Sequence, residues 1–240
     1  MNCLVVFGPK ANVLSKLYSN KAFRNWKLVI IGRDLKIFYN SLKQQNNFSE
    51  IIQIEVDYLN LTIIDDYQKI ANTLTQNLSH ESEKNFFLFA QGVIERLPFF
   101  FQTDDQILKQ FKINLEFPVR CTHSILKTNP NLLSSHWYYL SSIATQRSDV
   151  GVSLYASSKS ALEKFCETLR LEQKLTSRSG SIKVLRIIII DGGLSHGLPD
   201  DVKNELLQMA YNSKFTSKSA LAEYLILDFS NPDSEICFVE

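Results

Sequence analysis

The 240-residue chain reads as a single α/β domain: a doubly wound, mostly parallel sheet of about seven strands with helices on both faces. Three observations predict this. Short apolar runs alternate with longer helix-patterned segments from end to end. Most of the runs are apolar on both parities, as strands covered on both faces are. No repeat, low-complexity tract or Pro/Gly-rich linker divides the chain, whose length suits one domain.

The strands expected in order are Cys3–Phe7, Leu28–Ile31, Ile51–Val56, Asn85–Ala90, Trp137–Ser141, Val184–Ile190 and Glu235–Val239. Segments long enough for crossover helices lie between them. The clearest runs from Tyr155 to about Lys174, with Leu162, Phe165, Cys166 and Leu169 at i, i+3, i+4 and i+7. In open parallel sheets ligands bind beyond the carboxyl ends of the strands. Function is therefore expected at Gly8–Leu14, Gly32–Asp34, Asp57, Phe89–Val93, Ser141–Thr145 and Asp191–Pro199.

Composition narrows the function. A formal charge of +1 gives no electrostatic case for nucleic acid or an acidic membrane. No run approaches the 18 or so apolar residues of a membrane span. The start, Met1-Asn2-Cys3-Leu4-Val5-Val6-Phe7-Gly8, reads as a first strand and not as a secretory signal. Cys3, Cys121, Cys166 and Cys237 are too dispersed for a metal site or a small disulfide scaffold. They read as buried thiols of a cytoplasmic protein. His80, His123 and His136 are scattered as well, without ligand spacing, and no metal is expected.

Two Tyr-x-x-x-Lys pairs occur, Tyr39/Lys43 and Tyr155/Lys159. The motif alone is close to what chance gives. On a helix, though, four-residue spacing stacks both side chains on one face. An ammonium beside a phenol favours phenolate and brings the tyrosine toward acid/base work near neutrality. Tyr39/Lys43 falls mid-helix after the second strand and reads as a surface packing pair. Tyr155/Lys159 opens the strongest helix, after a strand ending in Ser141-Ser142.

Residues 138–170, Tyr-Tyr-Leu-Ser-Ser-Ile-Ala-Thr, a loop, then Tyr-Ala-Ser-Ser-Lys-Ser-Ala-Leu-Glu-Lys-Phe-Cys-Glu-Thr-Leu-Arg, resemble the short-chain dehydrogenase/reductase family. That family places a serine about 13 residues before the tyrosine, here Ser142, and an asparagine about 28 before the serine, here Asn114. The resemblance implies a compact Rossmann-like domain and four roles. Tyr155 would exchange a proton with a carbonyl or alcohol oxygen. Lys159 would lower the pKa of Tyr155 and bind the nicotinamide ribose. Ser142 would orient the substrate oxygen, and Asn114 would hold a water linking Lys159 to solvent. Ser141 reads as satisfying backbone groups at the strand end.

The resemblance also implies a nicotinamide coenzyme, which supplies the hydride. Only the first glycine of the family's Gly-x-x-x-Gly-x-Gly turn survives in Gly8-Pro9-Lys10-Ala11-Asn12-Val13-Leu14, part of a low total of 8 glycines. Asn12 is a plausible substitute because Asn tolerates left-handed angles, whereas Leu14 departs from the pattern. Backbone N–H groups at the following helix N-terminus remain able to hold pyrophosphate. Arg33 follows the second strand where an NAD-selecting acid would stand, so NADP(H) is expected over NAD(H), with Lys10 as a second cation. Asp34 reads as a helix cap, and Asp57 fits either an adenine contact or a cap. Ala90 and Gly92 replace part of the family's Asn-Asn-Ala-Gly, and Asp191-Gly192 its Pro-Gly; Gly192 is expected at the coenzyme and His196 in a loop.

A segment at about 195–219, with Leu198, Leu206, Leu207, Met209, Tyr211 and Phe215, reads as a substrate cover or an ordinary surface helix. Phe99-Phe100-Phe101 and Trp137 read as core. The expected protein is an NADP(H)-dependent carbonyl reductase or alcohol dehydrogenase, a homodimer or homotetramer acting on a small carbonyl or alcohol. The rival is a dinucleotide-binding sensor or scaffold of the same fold that has lost chemistry, favoured by the eroded glycine turn and opposed by the complete Asn114, Ser142, Tyr155 and Lys159 set.

Overall fold

The structure, a computed structural model, describes residues 1–61, 64–78, 84–176, 178–188, 217–232 and 238–239. Seven parallel strands form one sheet in the order β3-β2-β1-β4-β5-β6-β7. They are β1 (Cys3–Phe7), β2 (Lys27–Gly32), β3 (Glu50–Glu55), β4 (Asn85–Phe89), β5 (His136–Ser142), β6 (Ser181–Ile187) and β7 (Phe238–Val239). The sheet changes direction between β1 and β4, which is where a doubly wound sheet opens a crevice. Sequence boundaries were close at β1 and β4. They were three residues late at the start of β6, because Ser181 and Lys183 break the apolar run that announces the strand. β3 alternates between exposed and partly buried positions, as its place at the sheet edge dictates.

Opposite parities of each strand feed two cores. Cys3, Val5 and Phe7 point to a layer formed by α3 (Ile64–Asn77), α5 (Phe117–Thr128) and α6 (Ser153–Leu175). Leu4 and Val6 point to the other, formed by α1 (Ser15–Tyr18), α2 (Leu35–Gln45) and α7 (Lys218–Ser230). In-register aromatics stiffen the first layer. Phe7 stacks on Phe89 at 4.1 Å, Phe89 on Tyr139 at 4.8 Å, and Phe87 on Trp137 at 4.0 Å. Such cross-strand pairs lock register, since a one-residue slip would turn every ring to the wrong face. Trp137 is core, as expected.

Phe99, Phe100 and Phe101 are not. They form a short turn in which each ring is more than half exposed, 57%, 79% and 64%. The run follows Pro98 and precedes the capping box of α4 (Asp104–Phe111), in which Thr103 and Gln106 bond reciprocally. That cap aims the preceding residues outward. Tyr39 and Lys43 lie on α2 with the ammonium 4.7 Å over the ring, the surface pair the sequence suggested. The expected Asp34 cap is absent. Asp34 sits at φ 51 without bonding the helix, and Glu55 at the end of β3 accepts the Leu35 N–H instead, at 2.7 Å.

Candidate active site

Helix α6 starts beside the carboxyl end of β5, so Tyr155 and Lys159 emerge next to Ser142. All of this group except Ser142 is buried: Tyr155 is 6% exposed, Lys159 3% and Asn114 0%. Ser142 lies close enough to Tyr155 to favour its phenolate, and its own Oγ accepts the Ala144 N–H at 3.2 Å. Lys159 Nζ donates to the Leu140 carbonyl at 2.8 Å. The space over Gly92 joins the remaining pair, because a methyl built there would lie 3.6 Å from both Lys159 Nζ and Asn114 Oδ1. Asn114, Ser142, Tyr155 and Lys159, 45 residues apart at the extremes, therefore share one end of the sheet.

Asn114 stands in a π-helical turn, Lys112–Glu116, that joins α4 to α5. Such turns recur at functional sites because they redirect one side chain out of the helical ladder. Its amide uses both hydrogens and one lone pair of the oxygen. Oδ1 accepts the Val93 N–H at 2.9 Å, while Nδ2 donates to the Val93 carbonyl at 2.9 Å and to Ser158 Oγ at 3.1 Å. Asn114 thus fastens the loop after β4 to the helix carrying Tyr155.

Electrostatics differ from the sequence reading in one respect. Burial raises the Tyr155 pKa above its usual value, and Ser142 and Arg96 only partly oppose it. Arg96 is a cation that eases the phenolate. Burial also lowers Lys159 itself to about 8, with Cys166 and Glu163 holding it up. Desolvation penalises whichever form is charged, and both groups are nearly sealed from water.

A cleft of about 350 Å³ opens on the neighbouring side, over the β1–β4 switch. Its floor is Gly8, at φ 74, where any Cβ would come within 2.6 Å of the Gln91 backbone. Ala90 and Gly92 line it, and so do Lys10 and Arg33. Each cation faces an acid: Lys10 lies 3.7 Å from Asp34, and Arg33 3.9 Å from Asp57. These pairs are half exposed and weak. Asp57 otherwise caps its own turn, accepting from Leu59 N and Asn60 Nδ2. Tyr58 forms a wall, its hydroxyl donating to the Ile31 carbonyl at 2.8 Å. Gln91 Oε1 is buried without a partner at the floor. Small floor residues, an unpaired buried acceptor and two solvent-reachable cations suit an elongated, anionic, partly polar ligand such as a dinucleotide.

No known family's sequence pattern matches the chain, and no curated protein matches it by sequence. Its shape does match solved structures. A dehydrogenase/reductase from Sinorhizobium meliloti superposes with a TM-score of 0.77 at 12% identity, covering 99% of this chain and 93% of that one. A short-chain dehydrogenase from Salmonella enterica gives 0.76 at 14% identity, over 100% and 94%. An alcohol dehydrogenase from Thermococcus sibiricus, complexed with 5-hydroxy-NADP, gives 0.74 at 14% identity, over 100% and 95%. This chain has the fold of the short-chain dehydrogenases/reductases.

Within that fold the glycine turn is rebuilt. Asn12 does not take left-handed angles; it begins a 3-10 turn, Asn12–Leu14, is exposed, and does not line the cleft. Leu14 is fully buried in the second core. The helix that follows, whose N-terminus was expected to meet pyrophosphate, is the four-residue α1. Ser141 also differs from expectation, because it bonds the Glu163 carboxylate and not backbone. Arg96, Glu163, Arg186 and Tyr58 were missed. Glu163 was legible, one helical turn beyond Lys159 on the same face, whereas Arg186 required the β5–β6 register, which sets it opposite Ser141. Asp191, Gly192, His196, His80, Cys237 and nearly all of the 195–219 segment lie outside the described residues.

Proposed function

We propose that the protein is an NADP(H)-dependent oxidoreductase that reduces a carbonyl, or oxidises an alcohol, with Tyr155 as the proton donor or acceptor. The observation carrying this reading is the Ser142–Tyr155 pair, with Lys159 and Asn114 close to Gly92, which itself lines the cleft of about 350 Å³. Gly8, Lys10, Arg33, Ala90, Gly92 and Lys159 would hold the coenzyme, with Asp57 steering Arg33. Bound in its reduced form, it supplies the hydride.

Tyr155 gives its hydroxyl proton to the carbonyl oxygen, and Ser142 Oγ orients that oxygen. A phenol whose pKa burial has raised stays protonated at neutral pH, so the site is set as an acid. Reduction is accordingly the favoured direction near neutrality, and oxidation gains as pH rises. Lys159, docked on the Leu140 carbonyl, presents its ammonium to the space over Gly92.

A homodimer or homotetramer is part of the same proposal. Exposed Leu108 on α4 and Leu171 and Leu175 on α6 support it as apolar positions left for a partner copy. Light scattering of the purified protein checks it, a monomer at micromolar concentration counting against. Three buried free thiols, Cys3, Cys121 and Cys166, suit the proposed cytoplasmic location. Among the described residues no helix is long and apolar enough to cross a membrane.

The deciding experiment pairs a carbonyl screen, read as NADPH consumption, with Tyr155→Phe. Turnover is expected to fall about 10²- to 10⁴-fold with NADPH binding retained. Full activity in the variant would remove Tyr155 from the chemistry. Coenzyme binding without turnover would favour the sensor reading.

A further inference from the structure

One buried carboxylate collects groups from three elements around the candidate site. Glu163, on α6 one turn beyond Lys159, accepts Ser141 Oγ at 2.5 Å and Thr145 Oγ1 at 3.0 Å. Arg186 of β6 closes on it with Nη2 at 2.8 Å and Nε at 3.1 Å from both oxygens. The two charged side chains are only 9% and 15% exposed. Ser141 and Thr145 bracket Ser142 in the chain, and Thr145 Oγ1 also lies 2.9 Å from the Ser142 carbonyl, so its one hydroxyl hydrogen is shared between that carbonyl and Glu163. A buried ion pair is weak evidence of stabilisation in itself, since desolvation offsets much of the attraction. This pair spends its remaining acceptor capacity on the hydroxyls flanking Ser142. It therefore fixes a short loop against the helix that carries Tyr155 and Lys159.

We propose that Glu163, held by Arg186, is a positioning residue that clamps the Ser142 loop to the Tyr155 helix. The proposal rests on the carbonyl-reducing reading of the site. Misplacement of a reacting group by about 1 Å costs on the order of 100-fold in rate, so a loop held at one end only would lose turnover without losing coenzyme. The titratable groups acting on the Lys159 ammonium are Cys166 and Glu163, both on its own helix. From β5 it meets the neutral Leu140 carbonyl, and from beyond β4 Gly92 and Asn114.

The test uses the full chain with Ser141→Ala, Ser141→Thr and Glu163→Gln. Ser141→Ala removes the shortest link and leaves no buried charge unpaired, so it guards against the chance that Glu163→Gln fails to fold. For Ser141→Ala the expected result is a kcat lower by about 10- to 100-fold, unchanged NADPH affinity, and rescue by Ser141→Thr. Glu163→Gln should in addition move the alkaline limb of the pH profile to lower pH, because the carboxylate no longer favours the Lys159 ammonium. Amide hydrogen exchange over residues 142–146 should quicken in both, while the melting temperature of Ser141→Ala holds. Wild-type kcat, an unshifted profile and unchanged exchange in folded variants would overturn the clamp. A wild-type protein inactive on every carbonyl would instead overturn the functional reading, and the exchange measurement would still decide for or against the clamp.

Discussion

A buried ammonium must give up its solvation, and Lys159 shows the consequence in a pKa lowered to about 8. The unfolded chain holds the same proton up to about 10.5. Between those values the unfolded state binds more protons than the folded one, so folding stability rises with pH across that window. Below it, Lys159 costs the fold roughly 3 kcal/mol. Lys159→Met is expected to compare best with wild type at pH 7 and to lose that relative advantage as pH climbs from 8 to 10.5. Urea unfolding of both proteins across the range checks this, and a flat difference would contradict it. Asp228 presents the opposite case. Its carboxylate takes Lys183 Nζ at 2.6 Å and the Tyr138 hydroxyl at 2.7 Å, and Lys183 is fully buried. Asp228→Ala should cost about 3–5 kcal/mol because it strands that ammonium, whereas Asp228→Leu with Lys183→Met should recover most of the loss.

Elements are placed here by packing more than by intrinsic preference. The apolar Phe99–Phe101 run has the composition of a core strand, yet Pro98 on one side and the Thr103 capping box on the other turn it outward. Phe100→Ser is therefore expected to change stability by less than about 0.5 kcal/mol. Phe117→Ala, at a residue fully buried against Phe7 and Tyr58, should cost about 3–5 kcal/mol. Equal effects from the two substitutions would contradict the assignment. The start of α2 makes a related point. Glu55, twenty residues away, takes the helix N–H that adjacent Asp34 was expected to take. Local chemistry named the right residue type but not the right residue.

For the whole molecule, the question is whether a sheet with this switch point still holds a dinucleotide over a rebuilt turn. Ligand binding to the native state raises its stability by RT ln(1 + [L]/Kd), about 2.7 kcal/mol at a hundredfold excess over Kd. NADPH is expected to raise the melting temperature more than NADH at equal concentration, because Arg33 and Lys10 lie at the cleft. A larger shift with NADH would give the acids Asp34 and Asp57 the upper hand over those cations. An absence of shift with either would leave the cleft without its proposed ligand.

Periodicity already determined the α/β class and the parallel sheet, and the resemblance carried by Asn114, Ser142, Tyr155 and Lys159 pointed to one end of it. Strand alternation and helix faces are local properties that each stretch of chain states for itself. Only the tertiary structure decided the partners of those residues. It put Glu163 on Ser141, Arg96 near Tyr155, and Asn114 on Val93. Those pairings depend on strand register and on how deeply each group is sealed from solvent. Neither quantity exists until distant segments have packed together.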